Sequence, residues 1–422
     1  LNRRCEEVSE KEKNLSETQT SGINMKPFSL LPGLNIQNPS KLKTMNNSKL
    51  YLFIFVGVLF LSGIITILII TAHHPVSDNQ KSAPIGVEQV DSAKATVYFT
   101  KDINLDGLEK VLNPYLPRLH GKIGVKVHFG EDGNQYYIKP DLYKDLILRL
   151  NGTFIESNVL YRGRRRVTET HLQLAQEHGF GYAPIDILDA DGEITLPYHG
   201  KHFDKVYVGS HINNYDSFLI LSHIKGHGNA GFGGAIKNVG MGMAAIPGKM
   251  AIHADNHPLT SPKRCIKCGK CVRQCPANAI SLNPLVIDQT KCISCGKCIG
   301  TCPSGALRIP WGATGENGFL ERLADYANAI TKGRDVIFVN FLVNISPDCD
   351  CADEAREPFV KDIGILASDD MVAIDAASCD LVDQAFGKPD AFLHVDKVSG
   401  RYVLDYGQQI GLGNKDYNLI TK

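Results

Sequence analysis

Eight cysteines recur in two runs of matching spacing, "CIKCGKCVRQCP" from Cys265 and "CISCGKCIGTCP" from Cys292. Each run reads C-x2-C-x2-C-x3-C-P: Cys265, Cys268, Cys271 and Cys275, closed by Pro276, then Cys292, Cys295, Cys298 and Cys302, closed by Pro303. Thiolates this closely spaced converge on one small object, and three of them wrap one face of a cubane while the fourth comes from the other run. The spacing predicts two [4Fe–4S] clusters: Cys265, Cys268, Cys271 and Cys302 hold one, and Cys275, Cys292, Cys295 and Cys298 hold the other. Gly269 and Gly296 let the backbone pass close to the sulfurs. A pair of zinc sites is the plainer alternative.

Two further stretches carry chemistry. In "SHIKGHGNAGFGGAIKN", His223, Lys225 and His227 alternate after an apolar run, and Gly231, Gly233 and Gly234 give a backbone able to turn amides toward an anion, with a helix to follow. A carboxylate or phosphate suits such a loop. No Gly-Lys-Ser/Thr follows and the dinucleotide spacing is absent. The plainer reading is a tight turn with solvent-facing histidines. In "SPDCDCADE", Cys349 and Cys351 alternate with Asp348 and Asp350. Two thiolates and two carboxylates in one loop suit a metal or redox chemistry, and inert buried thiols are the alternative. His128 and Glu131 in "VHFGEDGN" read more simply as a turn, and "RGRRR" (Arg162, Arg164, Arg165, Arg166) as a solvated charged face. Cys379, inside an apolar helical pattern, reads as packing.

The elements that must position these residues alternate. Strand patterns at "ATVYFT" (from Ala95), "KIGVKVHFG" (Lys122), "GTFIES" (Gly152), "PIDILDA", "DKVYVGS", "SFLILSH", "DVIFVNFLV" (Asp335) and "DIGILAS" (Asp362) are interleaved with helix patterns at "INLDGLEKVLNPYL", "PDLYKDLILRL", "TETHLQLAQEHGF", "NGFLERLADYANAI" and "MVAIDAASCDLVDQAF". This alternation predicts an α/β domain around a largely parallel sheet, with sites beyond the carboxyl ends of its strands. The domain spans 95–260 and 311–422, and the small two-cluster module, 261–310, interrupts it. The sheet is expected to close without the module.

The chain has 422 residues and no net charge, which gives no reason to expect nucleic acid as a partner. Locally, Ser261–Pro310 carries eight Lys/Arg against one acid, Asp288. That basic island balances anionic clusters or steers an acidic redox protein. Clusters need reduced thiols, so the twelve cysteines favour a reducing compartment. Residues 1–49 are polar and without periodicity, and the chain begins at Leu rather than Met. "LYLFIFVGVLFLSGIITILIITA", Leu50–Ala72, runs 23 residues without a charge and reads as a single transmembrane anchor followed by a polar linker, 73–94. Lys41, Lys43 and Lys49 on one side, with Lys81 on the other, place the large domain outside by the positive-inside rule, whereas cluster assembly favours the cytoplasm. No twin-arginine signal precedes the span at the expected distance.

Residues 261–310, including the repeated Pro-x-x-Ala-Ile/Leu tails from Pro276 and Pro303, resemble bacterial two-cluster ferredoxins. The flanking motifs "KVHFGEDGN", "NVLYRGRRR", "SHIKGHGNAGFGGAIKN", "PDCDC" and "DIGILASDDMVAIDAASCDLV" resemble the family catalogued as domain of unknown function 362, over roughly Ala95 to Ile420 with the module between. That resemblance implies a fold and a redox context, and names no substrate.

The combined reading is a membrane-anchored iron–sulfur oxidoreductase. Its clusters exchange electrons with a site built from Lys225, His227, Cys349, Cys351 and the glycine loop, with a flavin or a third metal left open. The alternatives are an electron-transfer subunit without its own substrate, and a metal- or cluster-handling protein. The glycine loop and the Asp-Cys loop are expected to face one pocket.

Overall fold

The computed structural model of the chain describes residues 94–254 and 256–422. The polar segment, the apolar stretch Leu50–Ala72, all but the last residue of the linker, and Cys5 lie outside the described residues. Among the described residues no helix is long and apolar enough to cross a membrane.

One mixed sheet of eight strands organises the domain. Its members are β1 (Ala95–Thr100), β2 (Ile123–Lys126), β3 (Thr153–Glu156), β4 (Ile185–Ile187), β5 (Ser217–His223), β6 (Asp335–Leu342), β7 (Gly364–Ser368) and β8 (Tyr417–Thr421). Their order is β8-β1-β7-β6-β5-β2-β3-β4. Every neighbouring pair is parallel except those of β7, which runs antiparallel to both β1 and β6. The expected largely parallel sheet therefore forms, with one reversed strand. "DKVYVGS" departs from the expectation: Lys205–Gly209 pairs in a separate hairpin with Glu193–Pro197, outside the main sheet.

Alternation along the central strands explains why the sheet is covered on both sides. Phe218 and Ile220 of β5 and Val336 and Phe338 of β6 enter one core, while Leu219 and Leu221, and Ile337, Val339 and Phe341, enter the other. Buried side chains of this size each contribute about 2 kcal/mol before entropy is subtracted. The second core is closed by helices α1 (Leu105–Leu112), α2 (Lys144–Leu150) and α3 (Thr168–Glu177). The first is closed by α4 (Ala235–Gly240), α6 (Gly315–Thr331), α7 (Met371–Phe386) and α8 (Tyr402–Gln409), with α5 (Ile246–His253) at its margin. Local signals set the ends. Asn104 caps α1 by accepting from Gly107 N–H, and Asp370 caps α7 by accepting from the N–H groups of Val372 and Ala373. Gly387 ends α7 in the left-handed region.

From β2 the chain winds outward through β3 to β4, then returns so that β5 pairs with the other edge of β2. That reversal opens a crevice beyond the carboxyl ends of β2 and β5, the general position of sites in such sheets. The cysteine segment supplies no strand to the sheet. Leu259–Thr260 pairs antiparallel with Leu307–Arg308, so the segment leaves and re-enters the domain at one point. It is nevertheless joined by a shared core, in which Cys271, Cys298, Ile299 and Leu307 pack with Leu160, Ile246 and Met250 of the main domain.

Asp375 of α7 joins two helices across that first core. Its buried carboxylate accepts from Ala235 N–H at 2.7 Å, Ile236 N–H at 2.9 Å and Asn340 Nδ2 at 2.8 Å. Burial raises its pKa to about 6 despite these donors. The folded value lies above the unfolded one, so its contribution is largest in acid and declines as pH rises from about 4 to about 6. Replacing Asp375→Ala should lower stability by about 2–4 kcal/mol in denaturant titrations at pH 7, because buried donors lose their acceptor. The wild-type advantage over this variant should be larger at pH 5 than at pH 7.

Candidate functional site

A cavity of about 250 Å³ lies at the crevice, and His128, His223, Lys225, His227, Gly233, Gly234 and Cys351 line it together. The glycine loop and the Asp-Cys loop thus face one space. Parity explains three of them: residues 223, 225 and 227 leave β5 with their side chains on one side. The stretch expected as a glycine loop is itself a tight hairpin, Lys225–His227 paired with Gly231–Gly233. Gly226 sets its distance from the Asp-Cys loop. Its N–H donates to Ser346 C=O at 2.8 Å, and a Cβ there would sit 1.9 Å from the Pro347 carbonyl oxygen.

Asp350 fastens the two loops. Its carboxylate lies 2.8 Å from His223 Nδ1 and 2.9 Å from Lys225 Nζ, all three buried, while His223 Nε2 meets Val343 C=O at 2.7 Å. Glu131 N–H donates to Asp350 C=O at 2.9 Å, which draws in the loop after β2. Burial works against the Asp350 carboxylate, but His223 and Lys225 outweigh it and hold the group well below the usual carboxylate range.

The two cysteines of the loop differ. Hydrogen bonding from the Cys351 thiol pulls Cys349 well below the ordinary thiol range against its burial, with Lys237 and Lys225 assisting. The same contact, with burial, pushes Cys351 well above it. The pair is a thiolate beside a thiol. Lys237 Nζ sits 3.5 Å from Cys349 Sγ, and burial of that ammonium is overcome by the Cys349 and Cys351 sulfurs. His227 Nδ1 accepts from the amides of Asn229 at 3.2 Å and Ala230 at 3.0 Å, leaving Nε2 as its free atom. Burial, then Lys237, keeps this ring neutral. Ligand atoms of His227, Cys349 and Cys351 lie within 4.8 Å of one another, which is compatible with holding a metal ion.

Several expectations need correction. Gly231 does not line the cavity; with φ +72° it packs on Gly400 and shapes the hairpin. The amides at the start of α4 are not free for an external anion, because Asp375 already accepts from them, and Gly234 is required for that approach: a Cβ would lie 2.4 Å from Asp375 Oδ1. The "RGRRR" run is a solvated face only in part: Arg162 is exposed and Arg164 pairs with Glu177 at the surface, whereas Arg165 and Arg166 turn inward. Arg165 is 2% exposed, 3.2 Å from Glu131 Oε2 and 3.1 Å from His128 Nε2, and Arg166 donates to Lys297 C=O at 3.2 Å. His128 belongs to the cavity wall rather than to a plain turn. Cys379 is buried in α7, as packing requires.

Sequence reasoning missed Lys237, Lys249, Ser157, His253 and Trp311, all of which line the cavity. Lys249 lies on α5 in the otherwise apolar "IPGKMAIH", an isolated charge that could have marked it. Burial lowers its pKa to about 8, with Asp189 and Glu156 opposing. His253, lowered to about 3 by burial and then by Lys237, packs edge-on against Trp311 at 4.5 Å.

The cysteine segment meets the cavity wall. A Cβ on Gly296 would lie 2.7 Å from Leu160, which lines the cavity, and 3.1 Å from Met250. Cys275, Cys292, Cys295 and Cys298 line one smaller cavity. Cys271 is raised by burial and then by Cys302 and Cys265. Cys295 is raised by burial, with Cys275 and Cys292 adding to it. Backbone N–H groups point at sulfur from Lys267 to Cys265 at 3.4 Å, Ala279 to Cys275 at 3.3 Å and Ala306 to Cys302 at 3.2 Å.

The profile of the family described as Domain of unknown function (DUF362) matches residues 123–380, more than half of the chain. No curated protein matches. Among solved structures, the lactate racemase apoprotein from Thermoanaerobacterium thermosaccharolyticum aligns with a TM-score of 0.37 at 11% identity, covering 68% of this chain and 57% of that one. A Thermotoga maritima protein aligns with a TM-score of 0.34 at 9% identity, covering 72% of this chain and 59% of that one. The chain therefore spans less than two thirds of either structure.

The depressed Lys249 has a measurable consequence. Its folded pKa of about 8 lies below the unfolded value of about 10.4, so the unfolded chain binds more protons between them and stability rises with pH across that window. At neutral pH the buried ammonium costs up to about 3 kcal/mol. Lys249→Met keeps the apolar stem and should raise the unfolding free energy by about 1–3 kcal/mol at pH 7, with the gain shrinking toward pH 10. A variant less stable than wild type at pH 7 would show the charge to be a structural partner instead.

Proposed function

This chain belongs to the DUF362 family, and we propose that it is an iron–sulfur oxidoreductase whose cysteine segment exchanges electrons with the cavity formed by the hairpin and the Asp-Cys loop. The observation that carries this reading is the packing of Gly296, inside the second cysteine run, against Leu160 of the cavity wall. A redox pocket needs an electron supply at close range, and here the cysteine ribbon is its neighbour.

The residues fit two [4Fe–4S] clusters held as Cys265, Cys268, Cys271 with Cys302, and Cys292, Cys295, Cys298 with Cys275. Three features support this assignment. Cys275 shares one cavity wall with the three cysteines of the second run. Cys271 responds to Cys302 as well as to Cys265. Amides point at three of the sulfurs, and such donors tune cluster potentials. Clusters of this ligation supply one-electron transfer at low potential. The remaining steps belong to the chain's own side chains. Lys237 holds the Cys349 thiolate, Cys351 carries the neighbouring proton, and neutral His227 presents its Nε2–H as a hydrogen-bond donor to a bound molecule. An acidic redox protein would dock where exposed Cys268 and Ile266 stand among Lys263, Arg264, Lys267 and Lys270. Attachment to a membrane through Leu50–Ala72 is part of the same proposal.

One observation favours a second reading. His227, Cys349 and Cys351 are close enough to take a single ion, which suits a metal- or cluster-handling protein. Binding would displace the Cys351 thiol proton, and coordination through His227 Nε2 would require the ring's hydrogen to move to Nδ1, which now accepts amides.

Anaerobically purified chain should contain about eight irons and show dithionite-reduced spin-resonance signals. Four or fewer irons in fully loaded protein would end the two-cluster assignment. Exchanging Cys349 and Cys351 together for serine should leave the iron count unchanged while abolishing substrate-dependent reoxidation of the reduced protein. Loss of one additional metal ion in that variant, with reoxidation retained, would favour metal handling.

A further inference from the structure

The cations around the cavity are matched one by one, with a single exception. Lys126 lies 3.0 Å from Glu156, Arg165 lies 3.2 Å from Glu131, Lys225 lies 2.9 Å from Asp350, and Lys237 lies 3.5 Å from the Cys349 sulfur. Lys249 donates to the Ala244 carbonyl, and among the described residues no carboxylate stands within ion-pair distance of it. Asp189 and Glu156 act on it only from further away. An ammonium buried to 5% exposure without a matched anion is costly, and cavity walls hold such groups where a ligand completes them.

A second, independent observation points to the same place. Ser157 is 1% exposed, lines the cavity, and its Oγ has no hydrogen-bond partner. A hydroxyl left so in a polar wall marks a missing acceptor. Lys249 and Ser157 line the same cavity, so the unmatched ammonium and the unpartnered hydroxyl share one wall. Val159, Leu160 and Met241 give the lining of that cavity an apolar part, with Trp311 among the lining residues and half-exposed.

We infer that the cavity takes a small organic monocarboxylate, its two oxygens receiving hydrogen bonds from Lys249 Nζ and Ser157 Oγ and its apolar body resting on Val159, Leu160 and Met241. One unmatched cation calls for one negative charge. An ammonium without a matched anion and a hydroxyl without a partner suit the two oxygens of a carboxylate; a phosphate would bring further oxygens and charge with no unmatched cation left to meet them. A volume of about 250 Å³ limits the ligand to a small molecule. The inference rests on the proposed function only in taking this cavity as the reaction site, and does not depend on the clusters.

The test uses the full chain, purified anaerobically, with propionate, benzoate and inorganic phosphate as probes. Binding is read by titration calorimetry and by fluorescence of Trp311, the single tryptophan. At least one of the two acids should bind, phosphate more weakly than that acid. Lys249→Met should weaken the acid by about ten- to a hundredfold, the range for a lost bond to a charged group, and Ser157→Ala by several-fold. Both variants are first checked for cooperative unfolding, and Ser157→Ala carries the test if Lys249→Met does not fold. Failure of both acids to bind at about 10 mM, tighter binding of phosphate, or undiminished affinity in the variants overturns the inference. Failure of the cluster reading would appear instead as missing iron with carboxylate binding intact.

Discussion

A buried carboxylate with two basic partners holds the functional half of this domain together. Asp350 receives His223 and Lys225 from the end of β5, and its own backbone carbonyl takes the amide of Glu131 from the loop after β2. Three segments distant in sequence meet on one residue. A buried ion pair adds little net stability compared with a well-packed apolar substitute, because desolvation cancels much of the attraction. Removing one partner is far worse, at about 3–5 kcal/mol, since a buried charge is left alone. The arrangement is therefore better understood as a positional constraint than as a source of stability. Asp350 lies between Cys349 and Cys351, so fixing its carboxylate fixes both sulfurs against Lys237 and His227.

The same constraint explains the unequal cysteines. Two thiols two residues apart in open solvent would titrate alike. Here Cys351 N–H lies 3.4 Å from Cys349 Sγ, and the cations of Lys237 and Lys225 act on the same atom. One sulfur is kept anionic and the other protonated, which is the pairing of opposed protonation states that acid–base and nucleophilic sites rely on. The cysteine segment is governed by different physics. Part of its basic excess is used internally, as in the 2.7 Å pair of Lys297 with Glu193, while Arg166 donates to the Lys297 carbonyl and feels Cys298 and Cys295. These contacts and the shared core with Leu160, Ile246 and Met250 attach the segment firmly at the side where the cavity lies.

Much of the architecture was legible because periodicity is a strong signal in fully buried strands and amphipathic helices. Met371–Phe386 is helical over the stretch its pattern implies, and β1, β5 and β6 lie where β-branched runs place them. The reversed direction of β7 was not legible, since an isolated apolar strand carries no mark of its orientation. The candidate site was legible in part. Alternation of His223, Lys225 and His227, and of Cys349 with Cys351, marked the two loops because polar residues at strand ends must be held by something. Arg165 was misjudged: a run of arginines ordinarily faces water, and only Glu131, Glu156 and Tyr161, brought in by the fold, make its burial tolerable. Lys249 showed only as a lone charge in an apolar helix, and Ser157 not at all. Nothing adjacent in sequence explains them, because what they face is assembled by β2, β5 and α5 together.

The places where local rules fail are themselves informative. A domain with cores this regular has no structural need for Lys126, Lys225, Lys249, Arg165, Glu156 and Asp350 to be buried at one crevice. Each of these groups is costly to bury, and a well-packed apolar wall would be at least as stable. Hydrophobic patterning fills the space on both faces of the sheet, whereas the charged groups cluster where the strand order reverses. Stability cannot have selected that distribution, since it lowers stability. What remains is chemistry: a water-poor space in which a thiolate, neutral imidazoles and fixed ammonium groups keep their protonation states without rearrangement, and in which their fields are strongest because the surroundings screen them least.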